Sequence, residues 1–334
     1  MTGTDEKAGT AEKTGKIALV LGATGGVGGS VARALLRHGW QVRGMVRQPQ
    51  PGRDGIDWVT GDAMRAEDVA RAARGVSVIV HAVNPPGYRN WGRLVLPMID
   101  NTIAAARAEG ARILLPGTIY NFDPAQVPVI SERSPQQPRS RKGRVRVALE
   151  KRLREASAEA PVLILRAGDY FGPGSRSSWF SQAMVTPGRP LRRIVNPARS
   201  AGHSWAYMPD LAETAARLLD RAETLAAFEE VQFAGHQDID GHQMTDAIRR
   251  AAGRDLPVRR FPWWLMTLAA PFGGFAREAA EIAPCWSHPV RLDNHRLLAL
   301  LGSEPHTPLE EAVRESLAAL GCLETRALPG PVAA

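Results

Sequence analysis

The residues with the clearest chemical meaning are Gly22, Thr24, Gly25, Gly26, Val27 and Gly28. They follow the apolar run IALVL at 17–21 and precede the helical pattern SVARALLRHG. A strand that turns through glycine into a helix N-terminus presents free N–H groups to an anion. Gly22 supplies the sharp turn, Gly25 keeps a side chain out of the phosphate approach, and Gly28 lets the helix pack close to the sheet. This pattern predicts a bound dinucleotide pyrophosphate; a tight turn with no ligand is the alternative. The next strand, VRGMVR at 42–47, ends on Arg47, 19 residues beyond Gly28. An acid there would hold the ribose 2′-hydroxyl of NAD. A guanidinium fork instead attracts a 2′-phosphate. NADP(H) is therefore expected, with NAD(H) possible. A solvated arginine is the alternative, and Arg43 is a second candidate.

Other candidates lie at the ends of the following strands. Asp62 and Ala63 follow IDWVTG. Asp62 could accept from the adenine amino group or cap a turn. His81 and Asn84 close the fourth strand ahead of Pro85 and Pro86. This stretch is expected beneath the cofactor, with His81 either catalytic or a buried structural histidine.

Positioning these residues requires a regular scaffold. Strands are expected at 17–21, in QVRGMVR, IDWVTGD, VSVIVHAV, ARILLPG and APVLILRAG, separated by helical patterns that include EDVARAARG, LVLPMIDNTIAAARAEG and residues 142–158. Strands that alternate with helices and are apolar throughout predict an α/β fold, a doubly wound parallel Rossmann-type sheet. Polar sites then lie beyond the carboxyl ends of its strands. After residue 170 the rhythm loosens. A small C-terminal substrate-side lobe is expected over 171–325, with some segments packing back on the dinucleotide-binding domain at 15–170. Residues 1–14 read as a polar mobile arm and 326–334 as a tail. Asp210 is expected to cap the helix DLAETAARLLDR and Thr307 the helix that starts PLEE, while VQFAG is a strand candidate.

Composition narrows the function classes. The 334 residues carry a net charge of +8 and only two cysteines, Cys285 and Cys322. The arginines are scattered without interleaved aromatics, so nucleic acid is not expected as a partner. The Cys285–His288 spacing makes no credible metal site, and no cysteine nucleophile is supported. The N-terminus has no apolar signal-peptide core, and a cytoplasmic location is expected. FPWWLMTLAAPFGGF at 261–275 is the most membrane-like stretch, but it is short and broken by Pro271 and two glycines. It is expected to be buried or to line a pocket, with no stable membrane insertion.

With GATGGVG, the GD at 61–62, TIYN at 118–121, LRAGDYFGPG at 165–174 and HSWAYMPDLA at 203–212, the chain resembles the short-chain dehydrogenase/reductase superfamily. It is closest to the extended or atypical branch related to nucleotide-sugar epimerases and dehydratases, from about residue 16 to about 320. The resemblance implies catalysis by a Ser or Thr, a Tyr and a Lys, the last two separated by three residues on one helix. Glu150 matches the glutamate four residues past that lysine, which sets Arg146 on the lysine position and Lys142 on the tyrosine position. Counting back from Tyr120 puts Pro116 on the serine position. All three groups are thus substituted.

Arg146 can still hold a ribose hydroxyl or a phosphate, but it stays charged and is a poor proton donor. Lys142 could act as an acid only with a lowered pKa, and the wet helix start expected there argues against it. Thr118 is the surviving hydroxyl. Tyr120 and Tyr170 are candidate replacements for the tyrosine, with Asp169 orienting Tyr170 or a substrate hydroxyl. Trp179, His203, Trp205 and Tyr207 are expected either to line a pocket or to pack. The resulting expectation is an NADP(H)-dependent oxidoreductase or epimerase-like enzyme with non-standard proton transfer, acting on a small carbonyl- or hydroxyl-bearing substrate. A catalytically inactive dinucleotide-binding regulatory or partner-binding protein is the alternative. A homodimer through Rossmann-domain helices is a possible assembly.

Overall fold

A computed structural model describes residues 16–52, 54–85, 91–199 and 201–324. The expected arm at 1–14, Pro86 and the tail at 326–334 lie outside the described residues. The chain runs β1 (Ile17–Leu21), α1 (Gly26–Arg37), β2 (Gln41–Val46), β3 (Ile56–Thr60), α2 (Ala66–Ala73), β4 (Val78–His81), α3 (Trp91–Glu109) and β5 (Arg112–Gly117). It continues with β6 (Val129–Ile130), α4 (Arg141–Ala156), β7 (Val162–Arg166), β8 (Asp169–Phe171), β9 (Ile194–Asn196), β10 (His203–Tyr207), α5 (Met208–Asp220) and β11 (Phe228–Gln232). The last part holds β12 (His236–Asp238), α6 (Gln243–Ala252), β13 (Val258–Arg260), α7 (Trp263–Ala269), α8 (Gly274–Ile282), β14 (Arg291–Leu292), α9 (His295–Leu301) and α10 (Leu309–Ala319).

Seven parallel strands form the central sheet in the order β11-β7-β5-β4-β1-β2-β3. Strand periodicity sends successive β1 side chains to opposite faces. Ala18 and Val20 join the core beneath α1 and α5, and Leu19 and Leu21 join the one beneath α2, α3 and α4. The strand order reverses at β1, between β4 and β2, so the glycine turn stands at the switch point where such sheets bind ligands. β11 and α5 come from beyond residue 171 and complete this domain.

The second lobe is built from short pieces. β8, β10 and β12 make a three-stranded sheet, while β9 pairs with β13 and β6 with β14. Its core contains Trp179, Trp205, Tyr207 and Trp286. His203 is also buried, stacked on Trp286 with ring centroids 3.7 Å apart. His203, Trp205 and Tyr207 are thus packing residues, while Trp179 both packs in this core and lines a small cavity with Ser178, Gln182 and Phe275.

Three local expectations are corrected. Helix α5 starts at Met208, and Asp210 does not cap it. Its two carboxylate oxygens accept from Thr307 instead, from the N–H at 2.6 Å and from the hydroxyl at 2.8 Å. Thr307 is therefore a tie between α5 and the segment entering α10, whose cap position is Pro308. The stretch 261–275 is not a buried segment, although Phe275 at its end lines a small cavity with Trp179 and Gln182. Trp263 is buried, but Trp264, Leu265, Leu268, Phe272 and Phe275 are exposed. Among the described residues no helix is long and apolar enough to cross a membrane.

Candidate dinucleotide and active site

The glycine turn has the geometry of a phosphate cradle. Gly22 has φ +87°, and a Cβ there would meet the Ala82 carbonyl oxygen at 2.6 Å. The Gly25 N–H donates to the Gly22 carbonyl at 2.9 Å and closes the turn. A Cβ on Gly28 would lie 2.3 Å from the Gly22 oxygen, so helix and strand end touch backbone to backbone. Gly25 is different: a Cβ there would meet only the Gly22 oxygen, at 3.2 Å, and Thr24 and Gly25 are exposed. The outer side of the turn is open, while Gly26 and Val27 are half-buried behind it. Helix α1 begins with no side-chain cap and no acid in its first turn, leaving its positive end for an anion. These residues fit a pyrophosphate.

Arg47 is exposed just past β2, held by no hydrogen bond or ion pair among the described residues. Arg43 is engaged elsewhere: it donates to the Ala72 carbonyl at 2.6 Å and to Asp57 at 3.3 Å. Asp62 closes a turn, its Oδ1 accepting the Met64 N–H at 2.9 Å. The Ala63 carbonyl accepts from Asn101 at 2.9 Å, which ties the end of β3 to α3. His81 is buried, with Nδ1 2.8 Å from Thr102 Oγ1. Burial first, and the nearby Arg146 charge second, push its pKa down to about 3. It is a neutral histidine anchoring β4 to α3.

Arg146 and Lys142, on two of the substituted positions, and Tyr170, a candidate replacement, differ in partners and role. Arg146 is buried and stacks over Trp91, 4.9 Å from the ring centroid. Its charge acts on both His81 and Tyr170. Tyr170 donates to the Gly117 carbonyl at the end of β5, at 2.9 Å, and burial pushes its pKa up to about 12. Lys142 is not wet, as the helix start suggested. It is buried, 2.5 Å from Glu278 and 3.2 Å from Glu281 of α8, and its ammonium also donates to the Glu278 carbonyl. Two carboxylates supply the partners that make this burial tolerable.

Thr118 lends its carbonyl to Arg166 at 2.7 Å, while its buried hydroxyl has no partner among the described residues. Tyr120 donates to Asp169 Oδ1 at 2.9 Å, and Asp169 Oδ2 lies 2.7 Å from His203 Nε2. Asp169 thus orients Tyr120 and not Tyr170.

One feature of this region was not foreseen. Arg166, fully buried at the end of β7, forms a fork with Glu150 at 3.0 and 2.8 Å and reaches Glu230 at 2.8 Å. The two carboxylates hold its pKa above the ordinary arginine range against the cost of burial. The available sign was an arginine closing the otherwise apolar strand VLILR. Cys285 is also buried, which pushes its thiol up to about 12, and among the described residues no group of His, Cys, Asp or Glu could hold a metal.

The sheet order and the cradle define a Rossmann-type dinucleotide-binding protein. Residues 22–151 match the family model described as NAD(P)H-binding. In sequence the chain is similar to a 3-diazoavenalumate denitrifying reductase of Streptomyces sp, 30% identical over 173 residues, 47% of this chain and 57% of that protein. It is also similar to a ceramide reductase of Caulobacter vibrioides, 29% identical over 116 residues, 33% of this chain and 37% of that protein. The chain thus matches about half the length of these relatives or less. In structure it is similar to UDP-glucose 4-epimerase from Bifidobacterium longum, solved with NAD+ and UDP. The TM-score is 0.68 at 14% identity, covering 90% of this chain and 97% of that one. Residues 22–151 thus form a domain of the NAD(P)H-binding kind, and the whole chain shares the fold of the epimerase structure.

Proposed function

We propose that the protein is an NADP(H)-dependent reductase of a small carbonyl- or hydroxyl-bearing substrate, with Tyr170 as the proton donor and Arg146 in place of the usual lysine. When bound, the nicotinamide supplies or takes a hydride. The observation that carries the reading is the placement of Arg146. It sits on the lysine position, buried beside Trp91, with its charge felt at the Tyr170 hydroxyl. A guanidinium there can hold ribose hydroxyls and favours a phenolate left after proton donation. Tyr170 stays protonated at neutral pH and can give its proton to a substrate oxygen in place of the Gly117 carbonyl. Thr118 offers a hydroxyl with no competing bond among the described residues. Arg47 is free to meet a 2′-phosphate. Both sequence relatives are reductases by name, which favours reduction over epimerisation.

The test is oxidation of NADPH by the purified chain against a panel of aldehydes, ketones and their alcohols, with Tyr170→Phe alongside. Turnover that drops at least about a hundredfold in Tyr170→Phe, at unchanged cofactor affinity, is the expected result. Full activity in that variant removes Tyr170 as donor. The bond from Tyr170 to Gly117 and the ion pairs on Lys142 favour the second reading, a dinucleotide-binding regulator without turnover. Cofactor binding with no oxidation across the panel would select it.

A further inference from the structure

We infer that the α7–α8 hairpin and the arginines around its base form a peripheral docking surface for an anionic phospholipid bilayer. Five large apolar side chains, Trp264, Leu265, Leu268, Phe272 and Phe275, stand exposed within twelve residues of chain, Phe272 at 91% and Trp264 at 71%. A patch of this kind marks an interaction surface. Trp, Leu and Phe on short helical segments suit the boundary between headgroups and acyl chains, where they enter without crossing. The helices are too short to span, so the contact is peripheral.

Charge selects the occupant. No acidic residue occurs between Asp255 and Glu278, a stretch that carries Arg259, Arg260 and Arg277. None occurs between Asp169 and Asp210 either, a stretch that carries Arg176, Arg189, Arg192, Arg193 and Arg199. β9 and β13 pair in parallel, Val258 beside Ile194, so Arg192 and Arg193 enter this pair at one end and Arg259 and Arg260 lie at its far end. All four are exposed and unpaired among the described residues. Arg277 donates to the carbonyls of Ala270 and Pro271 at 3.2 and 3.1 Å, fixing the hairpin tip and leaving a positive charge beside Phe272. The nearest acids are engaged: Glu278 and Glu281 with Lys142, and Asp255 with Arg249. An apolar tip that carries Arg277 and follows directly on the unpaired Arg259 and Arg260 complements lipid tails with its side chains and phosphate headgroups with its charge. A second copy of this chain would bring the same arginines against one another, so charge disfavours it as the occupant.

The experiment is flotation of the full chain with vesicles of phosphatidylcholine alone and of phosphatidylcholine with phosphatidylglycerol in equal parts. Two variants run beside it: Leu268→Ser with Phe272→Ser, and Arg259→Glu with Arg260→Glu. The wild type is expected to float with the anionic vesicles with a preference of about a hundredfold, the effect of two or three arginines near the surface. The apolar double variant should lose at least about tenfold of this binding. The charge-reversed variant should lose the preference and its salt dependence. All four side chains are exposed, so both variants should keep the wild-type Tm. Equal flotation on neutral and anionic vesicles, or either variant floating as the wild type does, overturns the inference. So does an absence of flotation combined with a concentration-dependent dimer that the apolar variant lacks, which would make a second copy the occupant.

Discussion

The carboxylate of Asp169 joins Tyr120 to His203, accepting the tyrosine hydroxyl on one oxygen at 2.9 Å and lying 2.7 Å from the imidazole Nε2 with the other. One side chain at the start of β8 thereby links the turn after β5 to β10 of the second lobe. A bond to a charged acceptor that is mostly buried is stronger than a neutral one. Tyr120→Phe should therefore lower unfolding stability by about 2 kcal/mol in a urea titration. If Tyr120 is only this tie, cofactor affinity stays at the wild-type value. A loss of affinity without a loss of stability would place Tyr120 against the nicotinamide instead.

Gly25→Val should abolish dinucleotide binding while the fold survives. The Cβ would meet only the Gly22 oxygen, at 3.2 Å, which asks the turn to give by a few tenths of an ångström, and the branches beyond it obstruct the phosphate approach. Gly22→Ala is the contrast, since its Cβ would meet backbone at 2.6 Å at a φ of +87°. Circular dichroism should stay native for Gly25→Val, with the cofactor-induced rise in Tm gone. An undiminished rise in a folded Gly25→Val protein rules out the phosphate-cradle assignment.

Arg47→Ala should weaken NADP(H) at least about tenfold and leave NAD(H) unchanged. The guanidinium has no internal partner among the described residues to lose, so the fold is indifferent to its removal. Calorimetric titration of both cofactors into wild type and variant decides the point. Tighter NAD(H) than NADP(H) binding by the wild type would refute the preference.

The sheet was legible because local periodicity reports burial. IALVL alternates between two covered faces, so every position is apolar, and the glycines follow it at fixed offsets. What could not be read is which distant group a polar residue meets. Tyr120 finds Asp169 at a separation of 49 residues, and Lys142 finds Glu281 at 139. β11 begins three residues before the apolar run VQFAG, because Glu229 and Glu230 interrupt its apolar pattern. Both are buried, paired with Arg296 and Arg166. The same limit hid the exposure of α7: a run of apolar residues fixes hydrophobicity but not which neighbour, if any, covers it.

His81 should shape the acid side of the stability curve. Its folded pKa is depressed to about 3 from an ordinary 6.5, because burial disfavours the charged ring. Unfolding therefore takes up a proton between these values, and its contribution is complete above about pH 6.5 and is lost as pH falls toward 3. The slope is about 1.4 kcal/mol per pH unit across that window. His81→Gln should remove this slope from urea midpoints measured between pH 4 and 6. A slope identical to the wild type would show that another group controls the acid limb. His38, raised by bonds to Asp220 and Glu213 against burial, has the opposite sign: its contribution is present below its ordinary pKa and lost as pH rises past the folded one.

Three candidate catalytic residues separate experimentally, because Lys142, Arg146 and Tyr170 are held by different parts of the molecule. Lys142 sits one helical turn before Arg146 on α4, but its partners are Glu278 and Glu281 of α8. Removing its charge leaves two partly buried carboxylates without their cation, so Lys142→Met should cost about 3 kcal/mol of stability. Cofactor affinity should not change, because the carboxylates that hold this ammonium lie on α8 and outside the dinucleotide-binding domain. Arg146→Ala should do the reverse. It empties the position of the family lysine beside Trp91 and Tyr170, and reduced-cofactor affinity should fall at least about tenfold. Tyr170→Phe should change neither binding nor stability by much, since its lost partner is one neutral carbonyl, but it should remove turnover on any substrate found. A pH–rate profile of each variant, beside its Tm and its cofactor affinity, separates the roles. With Tyr170 pushed up to about 12, the protonated donor persists across the neutral range, so wild-type kcat should show no alkaline loss below that region. If instead Lys142→Met keeps normal cofactor binding and a native Tm yet loses turnover together with an alkaline limb, then Lys142 is the acid and Tyr170 is a structural side chain.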